Sequence, residues 1–407
     1  MFKNISSTLL VMVITMLSSF VVTIILGQTL SFNDFGEFAL LKQFILIGPT
    51  IAIFGLNYSY IKVFSNNPDS CKKTHLITMI IVSLITILFV LILKIIYNFE
   101  LYKLLFIYFC IGFSAINMYQ AAIYRLKNQF LIAQLFTGGW KVVLLILIGI
   151  FIFSEITIDI IVVYQILTVS LFIFSTFIIR YFFKNYNVNN RKTNLKNYLT
   201  MGLVFCLINS TGLISGGIDK LVIPIIYDRE VLGIFTGVSF IFITSLSMIG
   251  SAIGYVIFPK ISSGKEINMT KLSLTIICIT FFAVIIFQFI GKELVNILFY
   301  GKFDNFIDKK LIFCFTLLGF FQIVHIILHF ILSAIGGKKQ LIYYWILSII
   351  SIGMFIILLY TLKPELSLIE KVLPSAILNL SLIILITRIV KIISMIFLLK
   401  FKVYKNI

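Results

Sequence analysis

The stretch ISSTLLVMVITMLSSFVVTIILGQT, residues 5–29, runs through the N-terminal region without one charged side chain. An apolar helix of about 20 residues crosses a hydrocarbon core about 30 Å thick. The stretch is too long for the apolar core of a cleaved signal peptide, about 7 to 15 residues, and no small-residue cleavage pattern ends it. It is therefore predicted to be a membrane-spanning helix.

The composition extends this prediction to most of the chain. Hydrophobic residues make up 60% of the 407 residues, charged residues make up 12%, and the mean hydropathy is +1.12. A soluble core cannot bury this much apolar surface, so lipid must be the solvent for most of the chain. The net charge of +18 would suggest nucleic acid in a soluble protein. Here the bases lie in short loops, where they set topology and contact lipid headgroups, so no nucleic-acid partner is expected.

Apolar runs recur along the chain and predict an all-α integral membrane protein with about 12 transmembrane helices in two six-helix lobes. The predicted spans lie near 5–29, 38–62, 75–97, 102–125, 131–153, 157–181, 197–226, 233–258, 272–290, 311–335, 340–361 and 374–399. A basic stretch between the sixth and seventh spans predicts an N-lobe (1–182), a cytoplasmic linker (183–196) and a C-lobe (197–407). Lys and Arg concentrate at the termini and in even-numbered loops, so both termini are expected in the cytoplasm.

A short internal similarity relates the two lobes. Setting Gly36 against Gly233 aligns SFNDFGEFAL (31–40) with DREVLGIFTG (228–237), each at the start of a predicted helix. Six spans followed by six in the same orientation predict parallel repeats around a central cavity.

Several charged side chains fall inside the predicted spans. Asp219 and Lys220 lie side by side on the seventh span, where Pro224 opposes the carbonyl of Lys220 and predicts a kink near the pair. Charges at such depth normally line a cavity or pathway, although Lys42 and Lys220 have the alternative of extending to the outer interface. Besides Lys220, the candidate bases inside spans are Lys42, Lys141, Arg388 and Lys391.

Bases outnumber acids inside these spans, because Asp219 is the only acid assigned to one. Glu37 and Asp159 lie near span starts and are assigned to the preceding loops. A proton relay would need more carboxylates, whereas a basic cavity suits an anionic cargo such as a phosphate or diphosphate. Asp219 would then neutralise Lys220 or serve as the single titratable site for ion coupling.

Uncharged polar residues supply further candidates. His325 and His329 lie four residues apart on the tenth span. They are candidates for the polar lining of a cavity, with ordinary packing as the alternative. The spans offer no further ligands that a metal site would need. Asn57 and Tyr58 are candidates for hydrogen bonds to sugar hydroxyls, with interhelical hydrogen bonding as the alternative. The five scattered cysteines predict neither a disulfide framework nor a metal site, and no catalytic motif indicates an enzyme.

Three stretches carry a family resemblance: SFNDFGEFALLKQF (31–44), AIYRLKNQF (122–130) and GIDKLVIPIIYDREVLGIFT (217–236). With the twelve-span layout, they resemble the polysaccharide-exporting branch of the multidrug/oligosaccharidyl-lipid/polysaccharide (MOP) flippase superfamily, and more narrowly a Wzx-type O-antigen unit flippase. Asp219 and Lys220 match the acid–base motif of that family's seventh helix.

The resemblance implies a function in O-antigen and lipopolysaccharide biosynthesis. Such a flippase turns an undecaprenyl-diphosphate-linked oligosaccharide from the cytoplasmic to the periplasmic leaflet of the bacterial inner membrane by alternating access. The resemblance further implies no cofactor beyond a coupling ion, H⁺ or Na⁺. It also implies a glycan polymerase and a chain-length regulator as partners.

Other functions stay open at this point, among them a structural scaffold and an anion channel, since a pore and a carrier share their lining chemistry. A cation-coupled drug exporter of the same superfamily would be expected to offer acids to organic cations. A membrane glycan polymerase or glycosyltransferase usually needs a large outward loop, and the longest candidate, residues 291–310, is short.

Overall fold

The computed structural model describes residues 2–64, 72–184, 195–262, 269–335, 338–361 and 374–403, and these residues form helices and no strand. The helices are α1 (Phe2–Thr29), α2 (Phe32–Ala52), α3 (Leu56–Phe64), α4 (Lys72–Tyr97), α5 (Leu101–Leu126), α6 (Phe130–Gly138), α7 (Trp140–Phe153), α8 (Ile160–Lys184), α9 (Leu195–Gly216), α10 (Ile218–Ile226), α11 (Arg229–Ser262), α12 (Met269–Phe299), α13 (Lys309–Ile335), α14 (Lys338–Thr361) and α15 (Pro374–Val403). Most of the predicted basic linker, residues 185–194, lies outside the described residues. The predicted all-α membrane fold is confirmed.

The predicted spans correspond to single helices or to broken pairs of helices. Among the described residues, ten helices are long and apolar enough to cross a membrane, and α6 and α7, bent by 44° at Gly139, together have the length and apolar character of an eleventh. Helix α8 is apolar over Ile160–Thr176 and accounts for the remaining predicted span.

Three predicted spans are interrupted, each at or beside a glycine. The second breaks between Ala52 and Leu56, where Gly55 has φ +65°. The fifth breaks at Gly139, between α6 and α7, and the seventh breaks at Gly217, between α9 and α10. The kink predicted at Asp219 and Lys220 therefore lies just before them, while Pro224 lies inside α10.

The chain divides into two compact units, Met1–Ile214 and Ser215–Ile407. In the first unit, α5 is the central helix and packs against α2, α3, α4, α6 and α8. In the second unit, α13 has the central place and packs against α11, α12, α14 and α15. The lobe boundaries predicted from the basic linker stay a prediction.

The aligned repeats begin their helices in the same way. Ser31 is the N-cap of α2, where its Oγ accepts the N–H of Asp34 at 3.1 Å. Asp228, which occupies the aligned position, accepts the N–H of Val231 through its Oδ1 at 2.8 Å, immediately before α11. Capping side chains of this kind satisfy N–H groups that a helix start leaves unpaired. The short similarity thus reflects a shared local structure.

Candidate functional site

The charged residues of the second unit converge around the start of α10 and the middle of α15. Asp219 is 4% exposed and lies in the first turn of α10, where the positive end of the helix dipole stabilises a carboxylate. Lys220 follows it, and Arg388 and Lys391 lie one turn apart on α15. The structure therefore brings together four residues that the sequence places about 170 positions apart.

The break at Gly217 explains how Arg388 is held. Helix α9 ends at Gly216, so the carbonyl of Gly216 has no N–H from a following helical turn. The Arg388 guanidinium donates to this carbonyl from Nη2 and to the carbonyl of Leu318 from Nη1, each at 3.5 Å. A cation at a helix C-terminus is favoured by the dipole. Both hydrogen bonds are long, which leaves the guanidinium able to exchange them for a stronger acceptor.

A narrow cavity lies against these side chains. Its free volume is about 10 Å³, roughly enough for one water molecule. The cavity is lined by Ile218, Asp219, Ser351, Ile352, Ile384, Thr387, Arg388 and Lys391. Three bases and one acid around this site leave a net positive charge, so the site suits an anion. In this conformation it is too small for one the size of a diphosphate.

Lys391 continues into an aromatic cluster beside the cavity. Its side chain is 4% exposed, and its Nζ lies 5.4 Å from the centre of the Tyr344 ring, a cation–π distance. The Tyr344 hydroxyl lies 3.2 Å from Nδ1 of His329. His325, one turn earlier on α13, has a buried Nε2 with no hydrogen bond to the described residues. The two predicted histidines therefore belong to the same unit as Arg388 and Lys391.

In the first unit, the remaining predicted residues lie at separate places. Lys42 donates from Nζ to the Thr23 hydroxyl at 2.9 Å. Asn57 is buried, and its Oδ1 accepts no hydrogen bond from the described part of the chain. Tyr58 is 39% exposed and packs against Phe205, with ring centres 5.6 Å apart.

Lys141 lies directly after the break between α6 and α7. Its Nζ is 5.7 Å from the Trp140 ring, and the Trp140 indole N–H donates to the carbonyl of Thr137 at 3.2 Å. A lysine in the first turn of a helix is opposed by the helix dipole, so its position there needs a compensating partner. The cation–π contact is the partner that the structure shows.

A buried ion pair in the first unit corrects the sequence assignment of acids. Glu37 was assigned to a loop, but it lies inside α2, 1% exposed, with its Oε1 2.8 Å from Nζ of Lys103. Lys103 also donates to Oε2 at 3.1 Å, which makes the contact bidentate at the carboxylate. Asp219 is thus not the only acid within a span. The error arose because the predicted span begins with the apolar run at residue 38, whereas the helix itself begins at Phe32, directly after its cap Ser31.

Sequence reasoning also missed several polar residues near the candidate site. Ser351 and Thr387 line the cavity, and Tyr344 contacts both Lys391 and His329. Thr387 adjoins Arg388 in sequence, so its position at the site could have been predicted. Nothing in the sequence marks Ser351 or Tyr344 as site residues, because single hydroxyls are common in membrane helices and usually bond their own backbone.

Comparison with known proteins bears on both the sequence and the fold. The sequence matches the family described as "Polysaccharide biosynthesis protein" over residues 1–265. No match was found among curated proteins.

Solved structures of similar fold include a MATE transporter variant from Vibrio cholerae, with a TM-score of 0.60 and 11% identity, covering 100% of this chain and 99% of that chain. A MATE protein solved in complex with MaL6 has a TM-score of 0.59 at 15% identity, and the match covers 98% of this chain and 97% of that chain. An inward-facing multidrug resistance MATE family transporter of the MOP superfamily gives 0.58 at 13% identity, covering 96% of each chain. At these identities the likeness shows the fold alone. The fold is therefore similar to that of MATE transporters.

Proposed function

This chain belongs to the polysaccharide biosynthesis protein family, and on that basis we propose that it is a lipid-linked oligosaccharide flippase. Its cargo would be an undecaprenyl-diphosphate-linked oligosaccharide, an O-antigen repeat unit or a similar glycan. The cargo would move from the cytoplasmic to the periplasmic leaflet of the bacterial inner membrane by alternating access. In this reading both termini face the cytoplasm.

The observation that carries the proposal is the positive excess at the second-unit site. Arg388, Lys391 and Lys220 outnumber Asp219 by three to one, and Arg388 and Lys391 line one cavity with Asp219. Buried charges are expensive in a membrane unless they are paired or used. A diphosphate supplies the acceptors that three bases with one acid lack, and guanidinium–phosphate hydrogen bonds are among the strongest in proteins.

The proposed mechanism assigns each residue one task. Arg388 exchanges its long hydrogen bonds to the Gly216 and Leu318 carbonyls for the diphosphate, and Lys391 adds a second donor. Asp219 balances the bases while cargo is absent. Because the cavity is narrow, α10 and α15 must separate for cargo to enter. The prenyl tail stays in the bilayer while the head crosses.

The first unit would contribute to recognition of the glycan. The buried Oδ1 of Asn57 accepts no hydrogen bond from the residues that the structure describes, and Tyr58 and Phe205 offer an aromatic surface. Amides and aromatic rings of this kind suit sugar hydroxyls and sugar faces. Lys42 and Lys141 are further candidates for contact with cargo. An H⁺ or Na⁺ gradient would drive transport, and a glycan polymerase and a chain-length regulator would act on the exported units.

The decisive experiment uses inner-membrane vesicles that contain a short undecaprenyl-diphosphate oligosaccharide. A membrane-impermeant glycosidase is supplied on the periplasmic side, with and without this protein. Protein-dependent cleavage is expected. Arg388→Gln should reduce it at least tenfold with the same amount of inserted protein, because a charge-assisted hydrogen bond contributes about 1.5–3 kcal/mol. Lys94→Gln, an exposed lysine at the end of α4, is the matched control. Equal cleavage with and without the protein would refute the proposal.

Drug export is the second candidate, because the fold is similar to that of MATE transporters. An exporter of organic cations would need an acidic lumen, and Glu37, the buried acid of the first unit, is already paired with Lys103. Efflux of a cationic dye that depends on Asp219 or Glu37, without any glycan exposure, would favour this function over the flippase.

A further inference from the structure

The second unit carries another cavity, away from the charged cluster around Arg388. It is an open groove with a free volume of about 460 Å³ between α12, α13 and α15. The groove is lined by Gln288, Lys309, Lys310, Phe313, Cys314, Leu317, Leu378, Leu382 and Leu385. None of these residues lines the cavity at Asp219 and Arg388.

One end of the groove is basic. Lys309 and Lys310 form the first turn of α13, both are exposed, and neither has an ion-pair partner among the described residues. The Gln288 amide donates to the carbonyl of Lys309 at 3.2 Å, which ties α12 to this end.

The acids nearest in sequence to these lysines already have partners. Asp308 accepts the N–H of Leu311 at 2.7 Å as a helix cap, and Asp304 lies 3.0 Å from Nζ of Lys292. The lysine pair therefore keeps its positive charge available to a ligand.

The walls of the groove are apolar. Phe313 and Leu317 lie one turn apart on α13, and three leucines face them from α15. From Lys310 to Leu317 the wall runs about 10 Å along the helix axis. Phe313 is 47% exposed and Leu382 is 41% exposed. In a membrane, apolar side chains exposed in this way are in contact with lipid chains.

We propose that this groove is a binding site for an anionic phospholipid. The lipid phosphate binds Lys309 and Lys310 at the level where α13 enters the membrane, and one acyl chain lies against Phe313, Leu317 and Leu382. Charge complementarity selects the anionic lipid, because a zwitterionic headgroup brings its own cation to the lysine pair. In the predicted topology this end of α13 faces outward, where the positive-inside rule gives no reason for two lysines. Binding of a lipid phosphate would explain why Lys309 and Lys310 lie there.

The test uses the full chain in nanodiscs with phosphatidylglycerol that carries a photoreactive diazirine on one acyl chain. Crosslinks are expected on the peptides that contain Phe313 and Leu382. Unlabelled phosphatidylglycerol should compete for them, whereas phosphatidylcholine and inorganic phosphate should not. The Lys309→Gln/Lys310→Gln variant should bind the lipid roughly tenfold to thirtyfold more weakly, since each lysine near an anionic surface contributes about a factor of five.

Two further variants complete the design. Lys94→Gln/Lys196→Gln removes two exposed lysines elsewhere and should leave the crosslinks unchanged. Leu382→Trp fills the groove and should reduce crosslinking of the lipid with the lysine pair intact. Equal crosslinking by photoreactive phosphatidylcholine, competition by inorganic phosphate, or an unchanged yield in the double lysine variant would each overturn the proposal. The outcome is independent of glycan transport, so it does not depend on the proposed function.

Discussion

In the first unit the buried acid Glu37 meets the mostly buried base Lys103 at 2.8 Å, whereas in the second unit Asp219 lies in a site with three bases, Lys220, Arg388 and Lys391. Both units place charge inside a membrane fold, where an unpaired charge is costly. In the first unit Glu37 and Lys103 neutralise each other, so we interpret this pair as a structural element. The charges of the second unit do not balance, so its residual charge points to an external anion. Under the proposed function, charge balance distinguishes the structural pair of the first unit from the cargo site of the second unit better than burial does.

The largest expected effect follows from breaking the balanced pair. Glu37→Gln leaves the Lys103 ammonium, 12% exposed, without its carboxylate. Removing one partner of a buried pair costs about 3–5 kcal/mol of the free energy of unfolding. We expect a clearly lower Tm in detergent. The double variant Glu37→Gln/Lys103→Gln should recover more than half of the loss. A single variant as stable as the wild type would show that the pair is not structural.

The next prediction tests why the second span is interrupted at Gly55 whereas the aligned helix α11 is continuous. Gly55 has φ +65°, and a Cβ there would clash with the carbonyl oxygen of Gly202, whereas the aligned position in the unbroken α11 is Ala252. Gly55→Ala combines left-handed strain with overpacking and should cost about 2–5 kcal/mol. Chemical denaturation of the purified protein measures it.

Gly301→Ala is the matched control for that substitution. Gly301 has φ +72° with open space around it, so only the strain of about 1–2 kcal/mol applies. If both variants lose the same stability, the close approach of Gly55 to α9 contributes nothing.

A smaller effect, on transport, separates the unbalanced site from the first unit. Lys391→Gln should reduce glycan exposure about tenfold, near the lower limit for a lost charge-assisted hydrogen bond. Lys42→Gln should reduce it less than about threefold, because its Nζ already donates to Thr23. The vesicle assay measures both at equal protein level. A larger loss in Lys42→Gln than in Lys391→Gln would move the cargo site to the first unit.

The smallest effect concerns Asp304, an exposed acid that follows α12. The Asn296 side chain, at 2.8 Å, and then Lys292, at 3.0 Å, hold the pKa of Asp304 below its usual range. A carboxyl with a lowered pKa in the folded state stabilises the protein above its unfolded pKa of about 3.9 and loses this as pH falls through the folded pKa. Asp304→Asn should therefore lower Tm slightly at pH 7, and the difference should vanish in acid. A Tm difference that grows in acid would contradict the sign.

Much of the fold was accessible from the sequence, but the positions of the breaks were not. Helices α4, α5 and α12 follow from long apolar runs, and the shared caps Ser31 and Asp228 lie within the predicted similarity. The kink predicted near Asp219 and Lys220 lies at Gly217, where glycine leaves the backbone free to depart from helical dihedral angles, while Pro224 lies inside α10.

The sequence by itself determined that this chain is a helical membrane protein and which bases lie within its spans, because hydropathy and charge are properties of local stretches. Only the tertiary structure decided that Asp219, Arg388 and Lys391 share one cavity, and that Glu37 pairs with Lys103. These contacts join helices far apart in the chain. The sequence of one helix is enough to predict how deep its residues lie in the bilayer. The partner of a charged side chain depends instead on which other helix packs beside it.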